Sequence, residues 1–170
     1  MSRTADAEFH EFAVAAIPRL RRLALGISRD PHRADDLVQS TLERVYRDWR
    51  RILRTADDPV AYARRVLVNV LLAEERRTWR SRERVMDAVP EQAARGDEST
   101  AAADRLDLED ALAGLTTRQR LCVVLRHLDG LSVVETARLM ECSEGTVKST
   151  TSDALRALRA RLVPTEKQEA

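Results

Sequence analysis

Residues 115–149 read LTTRQRLCVVLRHLDGLSVVETARLMECSEGTVKS, and their punctuation decides the fold. Thr116-Thr117-Arg118-Gln119 sets a hydroxyl three residues before Gln, a capping box that opens a helix. That helix ends near Asp129-Gly130, where glycine supplies a left-handed exit. Ser132-Val133-Val134-Glu135 is a second capping box, starting a helix that stops near Met140. A turn, Glu141-Cys142-Ser143, follows, with Ser143 as N-cap of a final helix burying Val147, Thr151, Ala154, Leu155, Leu158 and Leu162. Two helices joined by a turn of about three residues, the second longer and polar on one side, make a helix-turn-helix.

Such a motif lays N-terminal side chains of its second helix on base edges in the major groove. Here they are Glu144, Thr146, Lys148, Ser149, Thr150 and Ser152, with Asp153 behind them. Ser143 and the helix N-terminus can donate to a phosphate. The arginines arrive only at 156, 159 and 161. A lone DNA reader usually makes 6–10 phosphate contacts, so this helix needs a second source of affinity.

Upstream, residues 104–114 predict a short helix, and residues 85–103 (VMDAVPEQAARGDESTAAA) lose all periodicity and collect Pro, Gly, Ser, Thr and acids. That composition reads as a linker. Before it lie three helices. The first, about 6–28, places Phe9, Phe12, Ala13, Ala16, Ile17, Leu20, Leu23 and Ile27 at helical spacing, with Pro18 as a kink or a boundary. Asp30-Pro31 and Asp58-Pro59 are both N-cap acids followed by proline at the first helical position. The helix after Asp30 carries a wide apolar stripe: Leu37, Val38, Thr41, Leu42, Val45, Tyr46, Trp49, Ile52 and Leu53. Its opposite face shows Arg44, Arg47, Asp48 and Arg51, and Asp35-Asp36 read as acids of its first turn, complementing the helix dipole.

The helix after Asp58, about 59–80, buries Val60, Ala63, Val66, Leu67, Val70 and Leu71 and exposes Arg64, Arg65, Arg76, Arg77 and Arg80. With Arg82 and Arg84 these form a basic face beside Glu74 and Glu75, either a backbone-binding surface or a solvated one. Tyr62 and Trp79 could stack on bases, although Trp79 fits a core position better. No segment alternates like a strand, so the chain is expected to be all-α. Two small helical domains follow from the pattern: 1–84, a linker 85–103, and 104–164, with a tail 165–170.

Charge supports that division. The formal net charge of +1 hides a segregation into +5 over 1–84, −6 over 85–110 and +2 over 111–170. All six aromatic residues lie in 1–84, so the two lobes have different core chemistry. Such a chain suits a polyanion at one place and a protein at another. Cys122 and Cys142 form no CxxC pair and no metal spacing with His10, His32 or His127, and read as small buried apolar residues. No cofactor or metal is expected. No signal sequence opens the chain and no apolar run reaches the roughly 20 residues that span a bilayer. A reduced, cytoplasmic protein without membrane insertion is expected.

The residues by themselves admit a stand-alone helix-turn-helix regulator with an N-terminal sensing domain, or a helical adaptor that ignores DNA. Three stretches point elsewhere: HRADDLVQSTLERVYRDW (32–49), DPVAYARRVLVNVLLAEERR (58–77) and 115–149. In this order the chain resembles a bacterial RNA polymerase sigma factor of the extracytoplasmic-function class, closest to the short actinobacterial SigE-like branch. The resemblance covers about 8–84 (region 2) and 104–162 (region 4). It implies a non-enzymatic protein that binds core polymerase, opens the −10 element with region 2 and reads the −35 element with region 4.

By the same resemblance Asp35, Asp36, Leu37, Val38 and Gln39 dock on the β′ clamp helices, and region 4 meets the β flap. Leu53, Arg54, Thr55, Ala56, Asp57 and Asp58 match the loop that captures a flipped −10 base. Asn69 matches a contact to the upstream end of that element, and Arg65, Arg76 and Arg77 match backbone contacts. Lys148-Ser149 match the −35-contacting pair. Promoter DNA, core polymerase and an anti-sigma protein are the implied partners. The chain departs from the pattern at Thr150, at Asp153 where an arginine is common, and at Glu74-Glu75 where the branch is tryptophan-rich.

Overall fold

The computed structural model describes residues 3–84 and 111–162, with side chains described over 5–78 and 111–162. Every described element is helical. Contacts divide the chain into two compact units, Met1–Ala93 and Ala94–Ala170.

The first unit packs three helices: α1 (Arg3–Ser28), α2 (Pro31–Thr55) and α3 (Pro59–Arg84). Helix α1 begins before the expected residue 6 and runs unbroken through Pro18. Proline removes only the bond to residue 14, and both Pro18 and Val14 face solvent, where the lost bond is least costly. Asp30 caps α2 as expected, its Oδ1 accepting from the His32 and Arg33 N–H groups at 2.8 and 3.3 Å. Asp58 Oδ1 accepts from Val60 N–H at 2.8 Å and opens α3.

The α2 stripe is narrower than its sequence suggests. Leu37, Val38, Thr41, Val45, Trp49 and Ile52 are buried, but Tyr46 and Leu53 are 40% and 44% exposed. Those two lie on the flank of the stripe, where Tyr46 still packs edge-on against Phe9 of α1, ring centroids 4.9 Å apart, and donates to Asp6 Oδ1 at 3.1 Å. Ile17 on α1 is likewise partly exposed, at 37%. Buried Thr41 satisfies its hydroxyl by donating to Leu37 C=O at 2.7 Å. At one end of the bundle Trp49 is enclosed by Phe9 and Phe12, with ring centroids 5.4 and 4.8 Å away. On α3 the expected exposure of Arg64 is not observed. It is buried at 8%, because it lies four residues after Val60 and three before Leu67 on the packed face.

In the second unit, residues 111–113 end a helix whose earlier part, expected from 104, lies outside the described residues. Arg120 Nη1 donates to Leu112 C=O and Leu115 C=O at 3.0 and 3.2 Å, satisfying carbonyls that this helix end leaves open. Both capping boxes form, opening α4 (Thr117–Val123) and α5 (Val133–Met140). Helix α4 widens into a π-turn over Val124–Leu128, where Asp129 N–H reaches Val124 C=O at 3.0 Å. Gly130, at φ +74, makes the exit for which the sequence reserves glycine.

The α5 exit is left-handed at Glu141, φ 51 and ψ 48, and Cys142 N–H bonds back to Ala137 C=O at 3.1 Å. Ser143 then caps α6 (Glu144–Leu162), its Oγ accepting from Thr146 N–H at 3.0 Å. Helix α6 is anchored at two levels. Val147 is fully buried, and Ala154 and Leu158 form a cluster with Ala111 and Leu115. Leu162, expected in the core, is 41% exposed past the end of that cluster. Cys122 is buried with its Sγ 3.4 Å from Met140 Sδ, whereas Cys142 is half-buried in the turn rather than enclosed.

Candidate nucleic-acid and polymerase interfaces

The two anchors of α6 leave the outer face of its first two turns exposed. Glu144, Lys148, Ser149 and Ser152 are exposed, as is Ser143, and Thr146 and Thr150 are half-buried. Several hydroxyls are already engaged. Ser143 and Thr146 share a hydrogen bond at 2.8 Å, and Ser149 Oγ donates to Thr146 C=O at 3.2 Å. Lys148 forms no ion pair or hydrogen bond among the described residues. Asp153 does not stand against it: its carboxylate takes Arg156 at 3.0 Å, so acid and cation largely cancel on the solvent side.

The sparse charge of α6 is supplemented in three dimensions. An open groove of about 360 Å³ beside α6 is lined by Lys148, Ser152 and Arg159 from that helix. Arg126 and His127 reach it from the π-turn and Val133 from the start of α5. Sequence reasoning missed Arg126 and His127 because they lie before the motif and far from Lys148 along the chain. Arg126 is held by a hydrogen bond to Leu131 C=O. The visible signal was only a basic pair at the end of a helix.

In the first unit the segment 35–39 separates by depth. Leu37 and Val38 are buried, at 2% and 6%, whereas Asp35, Asp36 and Gln39 are exposed. Leu37 therefore lies beneath this surface rather than on it. The two acids are not in the first turn, as the sequence suggested. With Asp30 as N-cap and Pro31 first, they fall in the second turn, where the helix dipole has faded. Arg21 on α1 donates to Asp35 at 2.6 Å and holds its carboxyl below the usual carboxylate range. Asp36 has no such partner among the described residues. An apolar depression of about 510 Å³ lies beside this pair, lined by Phe9, Ile17, Val38, Leu42 and Tyr46.

The segment 53–58 is a shorter loop than expected. Leu53, Arg54 and Thr55 continue α2, and only Ala56, Asp57 and Asp58 are non-helical. The helix extends because its terminal carbonyls find local donors. Arg54 Nε bonds Arg50 C=O at 3.1 Å, Thr55 Oγ1 bonds Arg51 C=O at 2.9 Å, and Ala56 N–H bonds Ile52 C=O at 2.9 Å. All but half-buried Ala56 remain exposed. On α3, Arg65, Arg76 and Arg77 are exposed and Asn69 is half-buried, lining a small groove between α2 and α3. Tyr62 does not present a free ring: Arg51 donates to its hydroxyl at 3.0 Å and its guanidinium carbon sits 6.0 Å from the ring centroid. The side chains of Trp79, Arg80, Arg82 and Arg84 lie outside the described residues.

Comparison with known proteins matches both units. Residues 13–81 match the sigma-70 region 2 family and residues 105–158 match sigma-70 region 4. The chain is 40% identical to RNA polymerase sigma-E factor of Streptomyces antibioticus, over 91% of this chain and 84% of that protein. It is 37% identical to the ECF RNA polymerase sigma factor SigL of Mycobacterium tuberculosis, over 84% and 82% of the two chains. Among solved structures it resembles the sigma factor RpoE crystallised with the anti-sigma factor NepR from Bartonella quintana. That match has a TM-score of 0.75 and 26% identity, over 91% of this chain and 96% of that one. The chain belongs to the extracytoplasmic-function class of sigma-70 factors, proteins that direct promoter-specific initiation by RNA polymerase.

Proposed function

We propose that residues 1–84 hold core polymerase and the −10 element, that 104–164 read the −35 element, and that 85–103 connect them. Asp35, Asp36 and Gln39 form the exposed part of the dock for the β′ clamp helices, and the second unit meets the β flap. Ala56, Asp57 and Asp58, with Leu53, Arg54 and Thr55 at the helix end beside them, receive an extruded −10 base. Asn69, Arg65, Arg76 and Arg77 contact the strand around it. Ser143, Glu144, Thr146, Lys148, Ser149, Thr150 and Ser152 face the −35 duplex. The RpoE likeness extends the partners to an anti-sigma protein.

One observation carries the reading: the helix that presents Lys148 is rigidly seated yet has few cations of its own. Its affinity must come from being held beside the promoter by something else. Two modules on one scaffold raise each other's effective concentration, so α6 adds selectivity without many phosphate contacts. Opening a duplex costs on the order of 1–2 kcal/mol per base-pair step, and capture of an unstacked base offsets part of it. The polymerase makes every phosphodiester bond, so this chain acts as a non-catalytic cytoplasmic subunit. None of its described helices is long and apolar enough to cross a membrane.

The test is transcription in vitro with purified core polymerase. The chain is expected to confer initiation at a promoter selected with the holoenzyme, and to shift that duplex weakly when core is omitted. Tight duplex binding without core, and no gain of initiation with it, would instead mark a stand-alone regulator.

A further inference from the structure

The two cysteines are reactive side chains that none of the roles above uses, and both belong to the second unit. Cys122 on α4 is 1% exposed, with its Sγ 3.4 Å from Met140 Sδ at the end of α5. Met140 is itself buried at 3%, and only Glu141 separates it from Cys142. Glu141 takes a left-handed backbone, φ 51, and Cys142 N–H closes back on Ala137 C=O at 3.1 Å. That closure keeps Cys142 beside the helix end that carries Met140. From α6 the Thr151 hydroxyl also faces Cys122. Both thiols and the thioether therefore gather where α4, the turn and α6 converge.

The thiols differ in access and in acidity. Cys142 is half-buried, open to a small solute, whereas Cys122 is enclosed. Burial pushes the Cys122 thiol up to about 11, and the charge of a neighbouring Cys142 thiolate adds to the rise. The thiolate is the nucleophilic form, so Cys142 reacts first. Once Cys142 is a neutral sulfenic acid, its charge no longer opposes ionisation of Cys122.

We infer that Cys142 and Cys122 form an oxidation site for hydrogen peroxide, closing reversibly into a disulfide that shifts the turn before α6 and weakens reading of the −35 element. The effect on reading rests on the proposed −35 role of α6; the oxidation site does not. In the first step the Cys142 thiolate attacks one peroxide oxygen, the O–O bond breaks, and hydroxide leaves a sulfenic acid behind. In the second, Cys122 Sγ attacks that sulfur, the S–O bond breaks, and hydroxide leaves with the Cys122 proton as water. The two sulfurs together lose two electrons, and the peroxide is reduced to two waters. Both thiols are free in this structure, and a disulfide brings its sulfurs to about 2.05 Å, so the segment carrying Cys142 must move. Its next residue, Ser143, caps α6 by accepting from Thr146 N–H at 3.0 Å. Displacement of the turn therefore reaches the helix end that presents Lys148. In a reducing compartment such a bond is transient, as suits a sensor.

The full-length protein is treated with hydrogen peroxide, desalted, alkylated and mapped by mass spectrometry, before and after reduction with dithiothreitol. In parallel, desalted protein is joined to core polymerase and assayed for core affinity and for initiation at a promoter that needs its −35 element. The expected product is a monomer with one internal disulfide between Cys122 and Cys142. Initiation should fall by about fivefold or more, comparable to the loss of one base-edge contact, and return with dithiothreitol, while core affinity holds. Cys142→Ser and Cys122→Ala should each initiate like the reduced wild type and lose the peroxide response; the first, in the half-buried turn, carries the test if the second disturbs packing. Thiols that stay free, or that pass to sulfinic or sulfonic acid without the disulfide, overturn the site. A disulfide that leaves initiation unchanged overturns its effect on reading. If the reduced wild type shows no dependence on the −35 element, the −35 reading falls and the effect on reading with it, whereas the mass map still decides the oxidation site.

Discussion

Replacing Lys148 by alanine separates reading from folding and from docking. The side chain is exposed and unpaired among the described residues, and the helix at that point is held by its neighbour Val147, which is fully buried. Truncation should therefore change stability by no more than about 0.5 kcal/mol. The effect on DNA depends on what the ammonium meets. A contact to a base edge is worth about 1–3 kcal/mol, about a five- to 150-fold loss confined to one position of the −35 element. A contact to phosphate alone lowers the salt slope by about 0.9. That amounts to roughly a three- to fourfold difference between 50 and 200 mM salt, the same for every sequence. The assay is initiation by reconstituted holoenzyme on a promoter series mutated through the −35 element, repeated across salt, with core affinity measured in parallel. Wild-type initiation with an unchanged slope would remove Lys148 from the interface. Equal loss of core affinity would show that α6 serves the polymerase instead.

Other outcomes follow from the same geometry. Asp36→Arg reverses an exposed charge that is unpaired among the described residues and should weaken core binding at least severalfold, more at low salt than at high; equal affinity by fluorescence titration would place the dock elsewhere. Arg21→Gln should let the Asp35 carboxyl rise back toward its usual range, followed by NMR. Because folding depresses that value, the contribution of the pair is present at neutral pH and fades as pH falls through it. Burial pushes the Cys122 thiol up to about 11, so a thiol reagent at pH 8 should label Cys142 first and Cys122 only on unfolding. Since the unfolded thiol ionises near 9.0 and the folded one near 11, stability should decline as pH climbs between them. Val147→Ala should cost about 2 kcal/mol in chemical denaturation of the second unit, and a loss below about 0.5 kcal/mol would mean that α6 is not anchored there.

Helix placement was legible because each start carries its own chemistry. Asp30-Pro31, Asp58-Pro59, Thr116…Gln119 and Ser132…Glu135 all cap as their residue types require. Those bonds close within three residues, so no tertiary contact can relocate them. Burial was less legible at the flanks of each stripe. Tyr46, Leu53, Ile17 and Leu162 have the right spacing for a core, yet all four are more than a third exposed, at the edges of their apolar faces. Arg64 errs the other way, a charged residue on an apolar face that its type alone would put in water.

The candidate sites divide along the same line. Lys148, its turn and the Ser143 cap could be read directly, because a helix-turn-helix is a local object. The pairing of Arg21 with Asp35 could not, since it joins two helices. Nor could the gathering of Arg126 and His127 beside Lys148 and Arg159, or the alignment of the α2 arginines with Asn69.

By itself, then, the sequence determined the class of fold and the capped helix starts, which rest on interactions between residues a few positions apart, and the order of its motifs pointed to the family. The tertiary structure alone decided which of the named side chains reach solvent, which charges are already spent on one another, and which unpaired arginines share a groove. Those outcomes depend on distances across helix interfaces, and a chain of letters carries no information about such distances until the helices have packed.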